Sequence, residues 1–192
     1  TSKVTAVIRD CPKLTVINFN AIAATAIGDS PFLNYTDELE QTLNIGDEVE
    51  TITRSMFQSC KAITELKIGS SVKSIGYCAF NGCSGITNLT IPSSVTEIDG
   101  MAFNACDSLE KVIFNAKNCT LVSGQTPFNS SGCDDGFDIV FGEGVISIPD
   151  NLFNNVIKAK SVSFSNTIEI IGDSAFYATG ISGNVVIPDS VI

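Results

Sequence analysis

The chain has 192 residues with 21 acidic against 11 basic side chains, a formal net charge of −10, and contains neither histidine nor tryptophan. This argues against a phosphate-reading partner, which needs clustered Lys and Arg, and it removes the commonest general base together with every Ser-His or Cys-His couple. No apolar run approaches the roughly 20 residues of a membrane-crossing helix, and the opening TSKVTAVIRD lacks the apolar stretch of a signal peptide, so the sequence reads as a mature or trimmed chain.

In chain order, the elements repeat. Residues 43–65 (LNIGDEVETITRSMFQSCKAITE), 66–88 (LKIGSSVKSIGYCAFNGCSGITN), 89–111 (LTIPSSVTEIDGMAFNACDSLEK), 139–161 (IVFGEGVISIPDNLFNNVIKAKS) and 162–184 (VSFSNTIEIIGDSAFYATGISGN) each span 23 residues. Two units are longer, 17–42 with 26 residues and 112–138 with 27, and a last copy runs eight residues from Val185. A fixed period of this size points to a stacked array, in which insertions map to loops on one face. The extra residues are therefore expected to bulge near 21–26 and 115–125.

Within a unit the first and third positions are apolar and alternate with polar ones, as in a half-buried strand: Leu43 and Ile45, Leu66 and Ile68, Leu89 and Ile91, Val162 and Phe164. Gly46 or Pro92 ends the strand. The seventh and tenth positions (Val49 and Ile52, Val72 and Ile75, Val95 and Ile98) point inward again, and a segment such as GMAFNAC predicts a short helical turn carrying the bulkiest core residue: Phe57, Phe80, Phe103, Phe153 or Phe176. No unit can bury its apolar side alone, so neighbours must stack and share one core. The expectation is an α/β solenoid of seven to eight coils, about 35 Å long at ~4.8 Å per strand spacing.

The repeated pattern L-x-I-P-x-x-V-x-x-I-G-x-x-A-F-x-x-C-x-x-L resembles the BspA-like leucine-rich repeat, the 23-residue Treponema pallidum type, across nearly all of 17–192. The resemblance implies a right-handed leucine-rich-repeat superhelix. It also implies a surface or secreted protein of a host-associated bacterium or parasitic protozoan, in a family with several members implicated in adhesion to host matrix proteins. The expected organisation is a single domain, 1–192, with units starting near 17, 43, 66, 89, 112, 139, 162 and 185 and truncated within repeats at both ends. The parent protein is expected to continue past Ile192, because an uncapped array exposes core and sheet edge.

Cys60, Cys83 and Cys106 fall at one position of consecutive units, with Cys11 in the same register. Stacking puts them in a column at a spacing that does not itself forbid a disulfide, but parallel side chains favour buried reduced thiols, the position being filled by Val156 and Thr179 later on. Cys119 and Cys133, in the irregular unit 112–138, are the best disulfide candidate, against the favoured alternative of two separate core thiols. Zinc is disfavoured, since Cys78 and Cys83 have no second pair to meet them. The acidic turn with Asp134, Asp135 and Asp138 lacks EF-hand spacing and reads as a solvated loop. TDELE, 36–40, reads as charged surface. No catalytic group, cofactor or metal site is expected.

The outward positions of the main strands remain as a binding face, the usual one in repeat folds. Ile113 and Val140 form an apolar patch flanked by Lys111 and Asp138, and Glu65 and Lys67 lie farther along the same face. The expected partner is a protein, such as one of the host matrix or surface, with no nucleic acid and no membrane span in this segment. β-branched residues also simply suit a strand surface. The competing function is an architectural spacer within a larger surface protein.

Overall fold

The computed structural model describes residues 2–4, 13–20, 24–26 and 40–192. Seven strands, Val16–Phe19, Gln41–Ile45, Ile63–Lys67, Asn88–Ile91, Lys111–Phe114, Phe137–Phe141 and Ala159–Ser163, form one parallel main sheet in chain order. Their side chains alternate: Leu43, Ile45, Leu89, Ile91, Val112, Phe114, Ile139 and Phe141 are buried, and the residues between them face out. The 23-residue period fixes the register, for example Leu43 against Leu66 and Asn44 against Lys67. A slip of one residue would put every inward side chain in water.

The chain leaves each main strand through a tight bend. Gly69 sits on the bend below, where an added Cβ would come within 2.5 Å of the Gly46 carbonyl oxygen, so close backbone approach demands glycine there. It then contributes a two-residue strand to a second parallel sheet, Thr51–Ile52, Ser74–Ile75, Glu97–Ile98 and Thr120–Leu121. Val49, Ile52, Val72, Ile75, Val95 and Ile98 lie in the core between the sheets, as the spacing predicts.

The third side of each coil carries the phenylalanines, and there the structure corrects the sequence reading. Phe57, Phe80, Phe103, Phe128, Phe153 and Phe176 stack in one continuous column, with centroids 4.8–5.9 Å apart and neighbouring planes within 21° of parallel. The segment bearing them is not helical, and no helix forms among the described residues, so the fold is a β-solenoid rather than α/β. Residues at two fixed positions of the segment adopt left-handed backbone, among them Ser55 and Ser59, Met101 and Ala105, Asn151 and Asn155 (φ 51–60°). With a left-handed residue at every fourth position, every second N–H of the segment turns toward the next coil. Ser55, Phe57 and Ser59 donate to the carbonyls of Tyr77, Ala79 and Asn81 at 2.9, 2.8 and 2.7 Å, and Asn151, Phe153 and Asn155 repeat this onto Asp173, Ala175 and Tyr177. A helix would spend those donors inside its own coil.

The six stacked rings mark about six turns, fewer than the seven to eight expected. Val16–Phe19 adds a strand without a complete described coil, and residues 183–192 continue the pattern without forming one. Of the loop expected at 21–26, residues 24–26 are corrected, because Ala24–Ala26 pairs with Ser2–Val4 as a parallel strand, and 21–23 lie outside the described residues. In the long unit Thr120–Leu121 keeps its pairing with Glu97–Ile98, so two of the four extra residues fall between there and Phe128, where 122–125 are exposed, and the other two fall between Ser131 and the strand Phe137–Phe141. Beyond it the second sheet resumes as the separate pair Ser147–Ile148 and Ile170–Ile171, linked back by a bridge between Asn118 and Ser147.

Cys83 and Cys106 are buried, reduced, and hydrogen-bonded rather than merely packed. The Cys83 thiol donates to the Phe57 carbonyl at 3.0 Å and the Cys106 thiol to the Phe80 carbonyl at 3.6 Å. In the long unit Ser131 occupies the same position and donates to the Phe103 carbonyl at 2.5 Å. The position therefore asks for a small donor that reaches back one coil. Burial pushes the thiols of Cys60 and Cys106 up to about 12 and that of Cys83 well above its ordinary range. Cys119 and Cys133 are not bridged. Cys119 is buried beside the second sheet, its thiol raised to about 12 by the same cause. The Cys133 thiol donates to the Gly136 carbonyl at 3.1 Å. Cys11 and residues 36–39 lie outside the described residues.

Candidate protein-recognition face

The outer surface of the main sheet carries two rows of side chains, each in register from strand to strand. One row runs Val16, Thr42, Glu65, Asn88, Lys111, Asp138 and Ser161. In the other, Asn18 stands opposite Asn44 and Asn44 opposite Lys67; farther along, Thr90, Ile113, Val140 and Ser163 follow one another. Parallel strands at ~4.8 Å spacing hold these groups as a flat, regular array. The six residues singled out from the sequence thus share one face, in two groups separated by the strand bearing Asn88 and Thr90.

The apolar group is smaller than expected. Ile113 and Val140 stand directly opposite each other and are half-buried, each covering its neighbour. Beside them Lys111 is exposed and lies opposite Asp138, whose carboxylate accepts a hydrogen bond from Ser161 at 2.6 Å. A shallow hollow of about 300 Å³ opens next to this group, lined by Asn88, Glu110, Lys111, Asp135, Asp138 and Lys160 among others.

In the second group Glu65 takes a hydrogen bond from Thr42 and an ion pair with Lys67, both at 3.0 Å, and these partners, Lys67 first, lower its carboxyl below the usual range. Such an exposed pair adds little to stability. Its value is to present a fixed pattern of charge, which steers and orients a partner more than it binds one. Among the described residues no group of three or more Cys, Asp or Glu side chains is placed to hold a metal ion, and no helix is long and apolar enough to cross a membrane.

One recurring feature escaped the sequence reading although four phenylalanines of the ring column share it. The dipeptide Phe-Asn at 80–81, 103–104, 128–129 and 153–154 places Asn81, Asn104, Asn129 and Asn154 beside the ring column, half-buried. Asn104 Nδ2 donates to Asn81 Oδ1 at 3.4 Å, the first step of an amide ladder. Next to the bulge at 122–125, Asn129 and Asn154 join Asn151, Asn155, Gln125 and Thr126 around a hollow of about 300 Å³.

The family described as BspA type leucine rich repeat region matches residues 25–131 and 131–192, in six copies. Among solved structures, a leucine rich cell surface protein from Faecalibacterium prausnitzii A2-165 is 26% identical over 92% of this chain and 38% of its own, with a TM-score of 0.47. A leucine-rich repeat protein from Bacteroides ovatus ATCC 8483 is 17% identical over 85% of this chain and 72% of its own, with a TM-score of 0.36. The chain thus spans 38% of the length of the first of these. A comparison with curated proteins found no match. With the same coil matched across most of its length, the chain belongs to the BspA-type leucine-rich repeat family.

Proposed function

We propose that this solenoid is a non-enzymatic recognition module of a cell-surface or secreted protein, and that it presents the outer face of its main sheet to a protein partner, such as a host matrix protein. The supporting observation is the in-register double row, in which Lys111, Ile113, Asp138 and Val140 form a compact apolar-and-charged group on adjacent strands. Glu65 and Lys67 add a held charge pair farther along that face. An apolar centre rimmed by polar groups is the anatomy of a protein interface. Family membership supports the same reading, and cell-surface or extracellular localisation is part of it.

The test is surface plasmon resonance against a panel of purified host matrix glycoproteins, comparing the unaltered chain with the Ile113→Asp, Val140→Lys double variant. The expected result is a saturable signal with at least one ligand, weakened by roughly tenfold or more in the variant, as for loss of an interface centre. Unchanged binding of the variant to every ligand would show that this is the wrong surface. A second reading, an architectural spacer, draws on the internal pairing of Glu65 with Lys67 and Thr42 and of Asp138 with Ser161, which leaves those groups already satisfied. A spacer gives no saturable signal with any ligand.

A further inference from the structure

The interrupted second sheet creates a site that the regular coils lack. Where Thr120–Leu121 and Ser147–Ile148 fail to pair, the exposed stretch 122–125 swings outward and two adjoining hollows of about 300 and 350 Å³ open, both bordered by Gly124 and Asn151. The first is lined by neutral groups, with the carboxamides of Asn129, Asn151, Asn154, Asn155 and Gln125 and the hydroxyl of Thr126. The second is largely apolar, with Leu121, Ile148, Pro149 and Ile170 on its walls. Its one carboxylate, Asp150, is occupied in accepting the Asp173 N–H at 2.7 Å.

We propose that this double hollow binds a neutral glycan. Charge selects the ligand class, because a chain of net charge −10 repels anions and the amide hollow offers no charged group to a cation. Asn154 Nδ2 donates to Asn151 Oδ1 at 2.7 Å and Asn155 Nδ2 to Asn154 Oδ1 at 2.5 Å, which orders the cluster. Asn151 Nδ2, Asn155 Oδ1 and the whole Asn129 carboxamide are left without a partner among the described residues. A carboxamide sets a donor beside an acceptor, and adjacent hydroxyls of a sugar ring present the same alternation. The apolar hollow takes the C–H face of a ring. Beyond it, Asn104 and Asn81 continue the amides along the stack at one coil per step, ~4.8 Å, close to the length of one pyranose unit.

The test is a ¹H–¹⁵N titration following the side-chain amide signals of Asn129, Asn151 and Asn154 with chitotriose, cellotriose and maltotriose. Sialyllactose and a Gly-Ser peptide serve as the anionic and amide controls. At least one neutral trisaccharide is expected to shift these signals saturably below about 10 mM, in the weak range of small polar ligands. The variants Asn129→Ala and Asn151→Gly, the latter compatible with the φ of 60° at that position, are expected to weaken binding by roughly tenfold, the loss expected for removing a hydrogen-bonding pair. The double variant Ile113→Asp, Val140→Lys is expected to bind the saccharide unchanged, which separates this site from the main-sheet face. Three outcomes would each overturn the proposal: no shift with any trisaccharide, shifts confined to other residues, or a response to the peptide or sialyllactose alone.

Discussion

Replacing Phe103 by leucine tests whether the ring column acts as a unit. Phe103 is fully buried between Phe80 and Phe128, each 5.4 Å away and within 13° of parallel. Aromatic pairs contribute ~0.5–1.5 kcal/mol beyond their area, so removing two stacks while keeping most of the volume should cost about 1–3 kcal/mol, and Phe103→Ala about 3–5 kcal/mol. Phe176 has a single parallel neighbour, Phe153 at 5.9 Å, but meets Phe164 and Phe141 edge-on at 5.8 and 6.1 Å, so Phe176→Leu should cost a comparable ~1–3 kcal/mol in lost ring contacts. The assay is urea unfolding, read as a double-mutant cycle. Phe80→Leu combined with Phe103→Leu should depart from additivity by ~0.5–1.5 kcal/mol, whereas Phe57→Leu with Phe153→Leu, whose rings do not touch, should add. Additivity for the adjacent pair, within ~0.3 kcal/mol, would refute the column as an energetic unit and leave it a coincidence of geometry.

Ala105, at φ 53°, holds the left-handed conformation that Gly82 holds one coil earlier; Ala105→Val should lower stability in urea by ~1–2 kcal/mol, and Ala105→Gly should fall within about 1 kcal/mol of the unaltered chain. Stability should fall steeply in alkali. The folded thiols of Cys60, Cys106 and Cys119 titrate at about 12 and that of Cys83 above the ordinary value, whereas unfolded thiols titrate near ~8.5. The unfolded chain therefore binds fewer protons above that pH. The contribution is fully present below ~8.5, and by pH ~9.5 the three thiols that titrate at about 12 should have removed about 4 kcal/mol, with Cys83 adding to the loss. Denaturant midpoints measured under reducing conditions between pH 7 and 10 check this, and a flat profile would contradict it. In native alkylation followed by mass spectrometry, the half-buried Cys133 should be labelled well before Cys83 and Cys106.

Most of the solenoid was legible because translation repeats its constraints. The alternation at Leu43 and Ile45, and the inward pair Val49 and Ile52, recur at the same spacing in unit after unit, so each strand was read several times over. The turn was misread because GMAFNAC has the length and composition of a helical turn, and left-handed φ leaves only an indirect trace. The regular coils avoid β-branched residues at the left-handed positions, where Ser55, Cys78, Met101, Asn151 and Ser174 stand. In the long unit, insertion shifts Phe128 and Ser131 by two residues from the places that the period assigns, so the eye passes over them although both occupy their columns. The candidate face was legible as a row of positions. Its half-buried state at Ile113 and Val140 was not, because it depends on the two β-branched side chains covering each other across adjacent strands.

The alternating turn also gives the stack a polarity. In each regular coil three peptide units point their N–H toward the following coil and their C=O toward the preceding one, as with Phe57 to Ala79 and Phe80 to Ala102. Each carries a dipole of ~3.5 D, and aligned peptides sum as they do in a helix. Along this segment each coil presents acceptors to the coil before it and donors to the coil after it, while at the second sheet the direction reverses, as with Lys73 to Glu50 and Gly76 to Ile52, so a new coil can dock only in the orientation of those before it. Growth of such an array is vectorial, and a duplicated unit carries its own instruction for which way up to sit.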